Sequence, residues 1–140
     1  MDPEQEAVRT IVNLMAVSAR TAPKRKGIDT IIIRALYGQE LTELSSEMEA
    51  TGMKIGFSFF LRDAKNIASS SACLLVGCRG NEHLGLNCGG CGFSTCAEMT
   101  EAFQSRKPGT LFHGPVCAIR MADLGIAVGS AVKTAQIHNA

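Results

Sequence analysis

Tryptophan is absent from this chain of 140 residues and tyrosine occurs once. With aromatic residues at 5% in all, there is little to stack against the bases of a single-stranded nucleic acid. Charge of one sign is missing too: 14 Lys and Arg stand against 13 Asp and Glu, a formal net charge of +1. That balance supplies no electrostatic pull toward nucleic acid or an anionic membrane. No stretch approaches the roughly 18 uninterrupted apolar residues of a membrane-crossing helix. The start, Met1-Asp2-Pro3-Glu4-Gln5-Glu6, is acidic where a secretory signal opens basic and then apolar. The chain is therefore expected in a reducing cytoplasm, where clustered cysteines serve as metal ligands or redox groups rather than as structural disulfides.

Cysteine is what the chain does have, six residues in all. Leu86 to Cys96 reads L-N-C-G-G-C-G-F-S-T-C, so Cys88, Cys91 and Cys96 form a C-x2-C-x4-C run, and Cys117 follows after twenty residues. Thiolates this close, on a backbone loosened by Gly89, Gly90 and Gly92, can converge on one metal centre. Four thiolates suit a [4Fe–4S] or a [2Fe–2S] cluster. Glycines there permit left-handed backbone and leave N–H groups near the sulfurs, where they stabilise an anionic cluster. Zinc is the rival. A structural zinc site uses paired C-x2-C knuckles; here one knuckle is present, and His113, four residues before Cys117, is the substitute ligand. A purely thiol or disulfide role is the third alternative. Cys73 and Cys78 lie on an apolar run and point to opposite faces of it; Cys73 reads as a small buried hydrophobe and Cys78 as a weaker candidate for a fifth thiol. His83 and His113 read as solvated loop residues, and the carboxylates as solvated helix surface.

The rest of the chain alternates helical and strand patterns. Residues 3–20 predict a helix with Asp2 at its cap, Pro3 in its first turn and Ala7, Ile11, Leu14, Met15 and Ser18 on the inward face. After the basic turn Lys24-Arg25-Lys26-Gly27, Ile28 to Leu36 predicts a buried strand. A helix over 39–51 follows, with Leu41, Leu44 and Met48 inward and Gly52 as its C-cap. Ser58 to Ser69 predicts a second helix that buries Phe59, Phe60, Ala64 and Ile67. Ala72 to Cys78 is a second buried strand. The glycine-rich loop Arg79 to Gly92 leads to a helix capped by Ser94 or Thr95 with Glu98 in its first turn, ending near Ser105. A turn at Lys107-Pro108-Gly109 precedes a last helix, Ala118 to about Ile137, whose small residues would let another backbone approach closely. Met15, Met48, Met53, Met99 and Met121 read as packing residues. The order predicts a single α+β domain over 1–140, a mixed β-sheet covered by helices, with residues 79–117 as an inserted cysteine-rich cluster segment.

Cys88 to Cys96 with distant Cys117 resembles the four-cysteine motif of iron–sulfur subunits in anaerobic electron-transfer and corrinoid proteins. That resemblance implies a [4Fe–4S] cluster held by Cys88, Cys91, Cys96 and Cys117. More of the chain is similar to a family of small bacterial and archaeal proteins described as containing a ferredoxin domain, to which no reaction is attached. The similarity runs through A-R-T-A-P-K (Ala19 to Lys24), G-I-D (Gly27 to Asp29), R-D-A-K-N (Arg62 to Asn66), G-L-N-C-G-G-C-G-F (Gly85 to Phe93) and D-L-G-I-A-V-G-S-A-V (Asp123 to Val132). Ala19-Arg20-Thr21-Ala22-Pro23, the two apolar strands and Asp123-Leu124-Gly125-Ile126-Ala127 also resemble the order of elements in flavin nitroreductases. That resemblance implies helices on both sides of a mixed sheet, a homodimer with FMN at its interface, and Arg20 on the phosphate side.

Three functions follow from these readings. The first is a cytoplasmic electron-transfer protein with one iron–sulfur cluster and an unidentified redox partner. The second is an FMN-dependent reductase in which the cluster relays electrons. The third is a zinc-stabilised, non-catalytic interaction module that pairs through the small-residue helix. No acid–base pair is positioned for catalysis, so no catalytic residue is assigned.

Overall fold

Seven regular elements appear in the expected order in the computed structural model, which describes residues 2–107 and 111–140. They are α1 (Pro3–Thr21), β1 (Ile31–Leu36), α2 (Gln39–Ile55), α3 (Ser58–Ala68), β2 (Cys73–Cys78), α4 (Cys96–Gln104) and α5 (Ala118–Ile137), with one 3-10 turn at Arg25–Gly27. The protein is α+β. Its sheet among the described residues is a two-stranded antiparallel ladder, with Ile31 opposite Cys78 and Leu36 opposite Cys73.

Two strands cannot enclose a core, and the core is instead built where α1 and α5 lie together on one face of the ladder. Ala19 and Ala22 of the α1 end, Ala127 and Ala131 of α5, and Ile31 of β1 are buried together, ringed by Met15, Ile33, Leu74, Val76, Cys78 and Leu124. Alanine at four of these places lets the two helix backbones approach, as the small-residue composition of α5 predicts. The Ser18 and Thr134 hydroxyls meet at 2.6 Å across the same contact. Lys24 folds back to donate to the carbonyls of Ala19, at 2.8 Å, and Arg20, closing the end of α1. The other helical pair, α2 and α3, packs as a hairpin, with Ser45 Oγ donating to the Ala64 carbonyl at 2.8 Å. Phe57, Phe59 and Phe60 cluster at its turn, with ring centroids 5.0 to 6.2 Å apart.

Several expectations are corrected. The inward face of α1 is set by Val12 and Ala19, so Ala7 and Leu14 lie outside. Neither strand is buried on both faces: Ile32 is 52% exposed and Leu75 39% exposed, because the helices cover one side of the ladder. Helix α2 continues past Gly52 and ends at Gly56, which takes the left-handed conformation. Gly52 is needed inside the helix instead, where an added Cβ would stand 2.9 Å from Phe60 Cβ. Phe59, Met53 and Met121 are exposed, and Cys73 is half-buried. The turn expected at Lys107-Pro108-Gly109 falls on residues outside the described set.

Gly52→Ala forces a Cβ against a neighbouring Cβ that cannot swing away, and is expected to cost about 1–3 kcal/mol by urea unfolding. Gly125→Ala, at an exposed helical position where an added Cβ meets nothing within 4 Å, is expected to stabilise by about 0.4–1 kcal/mol in the same assay. Burial pushes the Cys73 thiol above its ordinary value. Folding then favours the protonated thiol, so this contribution is complete below about pH 8.5, the unfolded value, and is lost as pH rises through the folded one. Stability measured from pH 7 to 10 should fall more steeply in the parent protein than in Cys73→Ala.

Candidate metal centre

The loop that leaves β2 divides into an anchored half and a thiol-bearing half. The first half is tied down by backbone. Arg79 N donates to Thr30 O at 3.0 Å, extending the ladder, and Gly80 O accepts from Cys117 N at 2.8 Å. Gly80 is buried, and a Cβ on it would come within 2.9 Å of Val116 Cγ1. Glu82 O and Leu84 O accept from Arg120 Nε, at 2.7 Å, and Lys26 Nζ, at 3.3 Å.

The second half turns through left-handed backbone at Asn87, Gly89 and Gly92, with φ of 47°, 71° and 89°. A turn closed by Gly92 N on Gly89 O at 3.0 Å swings Cys91 back toward Cys88. Asn87 and Cys96 then clasp each other: Asn87 N points at Cys96 Sγ at 3.4 Å, and Cys96 N donates to Asn87 Oδ1 at 2.9 Å. Helix α4 starts at Cys96 because Thr95 and Glu98 form a reciprocal capping box. Glu98 N donates to Thr95 Oγ1 at 3.2 Å, while Glu98 Oε2 accepts from Ser94 N and Thr95 N.

Cys88, Cys91, Cys96 and Cys117 all line one small pocket, together with His83, Asn87, Phe93, Met99 and Ala118. Met99 is its buried floor. Cys96 opens α4 and Cys117 caps α5, so the starts of two helices meet at the pocket. Cys88 is exposed, Cys91 and Cys96 are half-buried, and Cys117 is buried. Among the described residues no three Cys, His, Asp or Glu side chains are set to hold a single ion. The four thiols ring the space instead, and the space itself is about 10 Å³.

The other candidates lie elsewhere or play other parts. Arg20 does not line the pocket; its Nη1 donates to Asp29 Oδ2 and to Ile31 O, each at 2.7 Å, tying α1 to β1. Burial raises the Asp29 carboxyl, but the Arg20 hydrogen bond, the Ile31 N–H and the charges of Arg20 and Lys24 bring it below the usual carboxylate value. His113 is exposed and away from the pocket. His83, read as a solvated loop residue, stands in the pocket wall with Nδ1 accepting from Gly85 N at 3.0 Å. Cys78 packs on the core, its Sγ 3.7 Å from Arg120 O. Burial raises this thiol, the Arg120 guanidinium lowers it, and Asp123 and Cys117 raise it again.

The sequence reading missed Arg120 and Asp123. Asp123 reads, with the other carboxylates, as solvated helix surface, and Arg120 is given no role; they are 3% and 1% exposed. Arg120 Nη1 donates to Ile28 O at 2.9 Å and to Asp123 Oδ2 at 3.3 Å, and Asp123 Oδ1 accepts from Arg25 N at 3.1 Å. The available signal was their i,i+3 spacing one turn past Cys117, in a helix whose other residues are mostly small or apolar. For the capping box, Thr95→Ala is expected to cost about 1 kcal/mol of stability in the metal-free protein, and Thr95→Ser to restore most of it, by chemical denaturation.

Comparison with known proteins bears on this pocket directly. Residues 85–108 match a family model described as "Putative Fe-S cluster", and residues 113–140 match one described as "Uncharacterized protein containing a ferredoxin domain". The two segments hold all four pocket cysteines. A protein of Archaeoglobus fulgidus, named only as uncharacterized, is 47% identical over 132 residues, which cover 94% of this chain and 70% of that one. No solved structure matches. An identity of that level over most of both chains, with the two family matches, makes this chain a member of the ferredoxin-domain family, with an iron–sulfur segment at its cysteine loop.

Proposed function

We propose that this single-domain chain is a cytoplasmic electron-transfer protein carrying one [4Fe–4S] cluster on Cys88, Cys91, Cys96 and Cys117. The observation that carries the reading is the meeting of four thiols, from the loop and from the starts of two helices, around one pocket with no carboxylate in its wall. Four converging thiols are a donor set that iron–sulfur clusters take, and the wall's histidine, His83, already uses Nδ1 to accept from Gly85 N. The ligands of one zinc ion sit on a single point, about 3.8 Å apart for Zn–S bonds of about 2.3 Å. A cluster's ligands bind different iron atoms and stand further apart, and among the described residues no three Cys, His, Asp or Glu side chains are set to hold one ion. The pocket's volume is less than a cluster needs, so binding requires the 85–95 half of the loop to spread. That half carries the exposed Cys88 and the glycines, while the anchored half keeps its place.

When bound, the cluster supplies a one-electron carrier. The protein's own part is electrostatic. Asn87 N–H aimed at Cys96 Sγ withdraws charge from a ligand sulfur, and the starts of α4 and α5 bring the positive ends of their dipoles to the cluster site. Met99 and Phe93 keep water from part of the pocket wall.

Protein purified without oxygen should be brown, hold about four iron and four sulfide per chain, and bleach with dithionite. Cys88, the most exposed of the four thiols, should resist alkylation until the cluster is removed. Cys96→Ser and Cys117→Ser should lose most of the iron and sulfide while Cys73→Ser retains it. One zinc per chain without sulfide, from an anaerobic preparation, would replace this reading with the zinc module.

A further inference from the structure

We infer that the buried Arg120–Asp123 pair is the positioning element of the metal centre: it fixes the anchored half of the loop against the start of α5 and sets the charge beside the cluster. This inference rests on the iron–sulfur reading above. Cys117 reaches the other three thiols only if the start of α5 and the loop from 79 to 84 hold a fixed separation. Arg120 spans that separation. It lies one turn past Cys117, and its Nε donates to Glu82 O, six residues before Cys88. The same guanidinium donates to Ile28 O, so the 3-10 turn region, the cluster loop and α5 share one cation. Asp123 holds the cation from below and accepts Arg25 N with its other oxygen.

The pair also has an electrical consequence. Both side chains are buried, so each charge acts through protein with little screening by water. Together they are neutral. Removing the carboxylate leaves an unpaired cation near the cluster, which stabilises the more negative, reduced state and raises the potential. Removing the guanidinium leaves an unpaired carboxylate and lowers it. A pair that only supported the fold would lower stability in both variants without shifts of opposite sign.

The experiment measures iron, sulfide and midpoint potential on anaerobically reconstituted parent protein, Asp123→Asn, Arg120→Lys and Arg120→Met. Asp123→Asn keeps an oxygen for Arg25 N; it is expected to retain its cluster with a raised potential. Arg120→Met is expected to lose most of its iron and sulfide and to show a lowered potential in what remains. Arg120→Lys, which keeps the charge without the planar fork, is expected to recover part of the occupancy with the potential near the parent's. Unchanged potentials with full occupancy overturn the inference, and so do shifts of the same sign in Asp123→Asn and Arg120→Met. Should Arg120→Met fail to fold by circular dichroism, the other two variants decide: Asp123→Asn with an unchanged potential, or Arg120→Lys with full occupancy, overturns it. Parent protein without iron and sulfide defeats the cluster reading and this inference together, whereas a loaded parent with indifferent variants defeats this inference alone.

Discussion

One guanidinium, that of Arg120, ties three parts of the chain together: its own helix α5, the cysteine loop through Glu82 O and the turn after α1 through Ile28 O. Taking a charge of this size out of water costs several kcal/mol even after relaxation, at about the level where the whole stability of a small domain lies. The cost is offset by a carboxylate at 3.3 Å and two backbone carbonyls at 2.7 and 2.9 Å, each of which would otherwise need its own donor. Replacing the pair with apolar side chains could satisfy the packing. It could not satisfy Glu82 O and Ile28 O, and these are the atoms that hold the cluster loop and the turn after α1 in register with α5.

That arrangement sets a sparsely bonded cysteine loop beside a closely packed frame. The core made by α1, α5 and the inner face of the ladder is built from alanines, and its tightness comes from helix backbones in close approach rather than from large side chains. Such a core fixes axes well. The start of α5, with Cys117 at its cap, inherits that precision, and Cys117 N on Gly80 O passes it to the exit of β2. Between Gly85 and Thr95 few bonds remain, chiefly the Asn87–Cys96 clasp, the 89–92 turn and the capping box. In the iron–sulfur reading, this sparsely bonded stretch is the one that spreads to admit the cluster.

What was legible in the sequence was local. The capping box at Thr95 and Glu98, the limits of α5 and the cysteine spacing are written in neighbouring residues, and the structure places them as read. The features that were illegible depend on distant partners. Ile31-Ile32-Ile33 reads as a doubly buried strand, yet only the partner elements decide that one face stays open. Gly52 resembles a helix stop until Phe60 is known to press on it. Arg120 and Asp123 resemble surface residues because burial of a charge requires hydrogen-bond partners, and three of theirs come from residues 25, 28 and 82. Arg20, by contrast, found partners only nine and eleven residues away, within the same corner of the fold.

The balance of charge at the pocket connects these observations to electron transfer. Four thiolates and the sulfides of a cluster bring a dense negative charge to a site half closed from water, and a protein can hold it only by aiming positive ends of dipoles or cations at it. Net charge cannot serve, since the chain carries a formal +1 overall. Compensation is therefore local: two helix N-termini and an N–H aimed at sulfur, with the guanidinium one turn past Cys117 already neutralised by Asp123. Because the nearby cation is paired, the site is not pushed strongly toward the reduced state. In the proposed iron–sulfur reading, the strength of the Arg120–Asp123 pairing is the variable through which this fold would adjust the potential without touching a ligand.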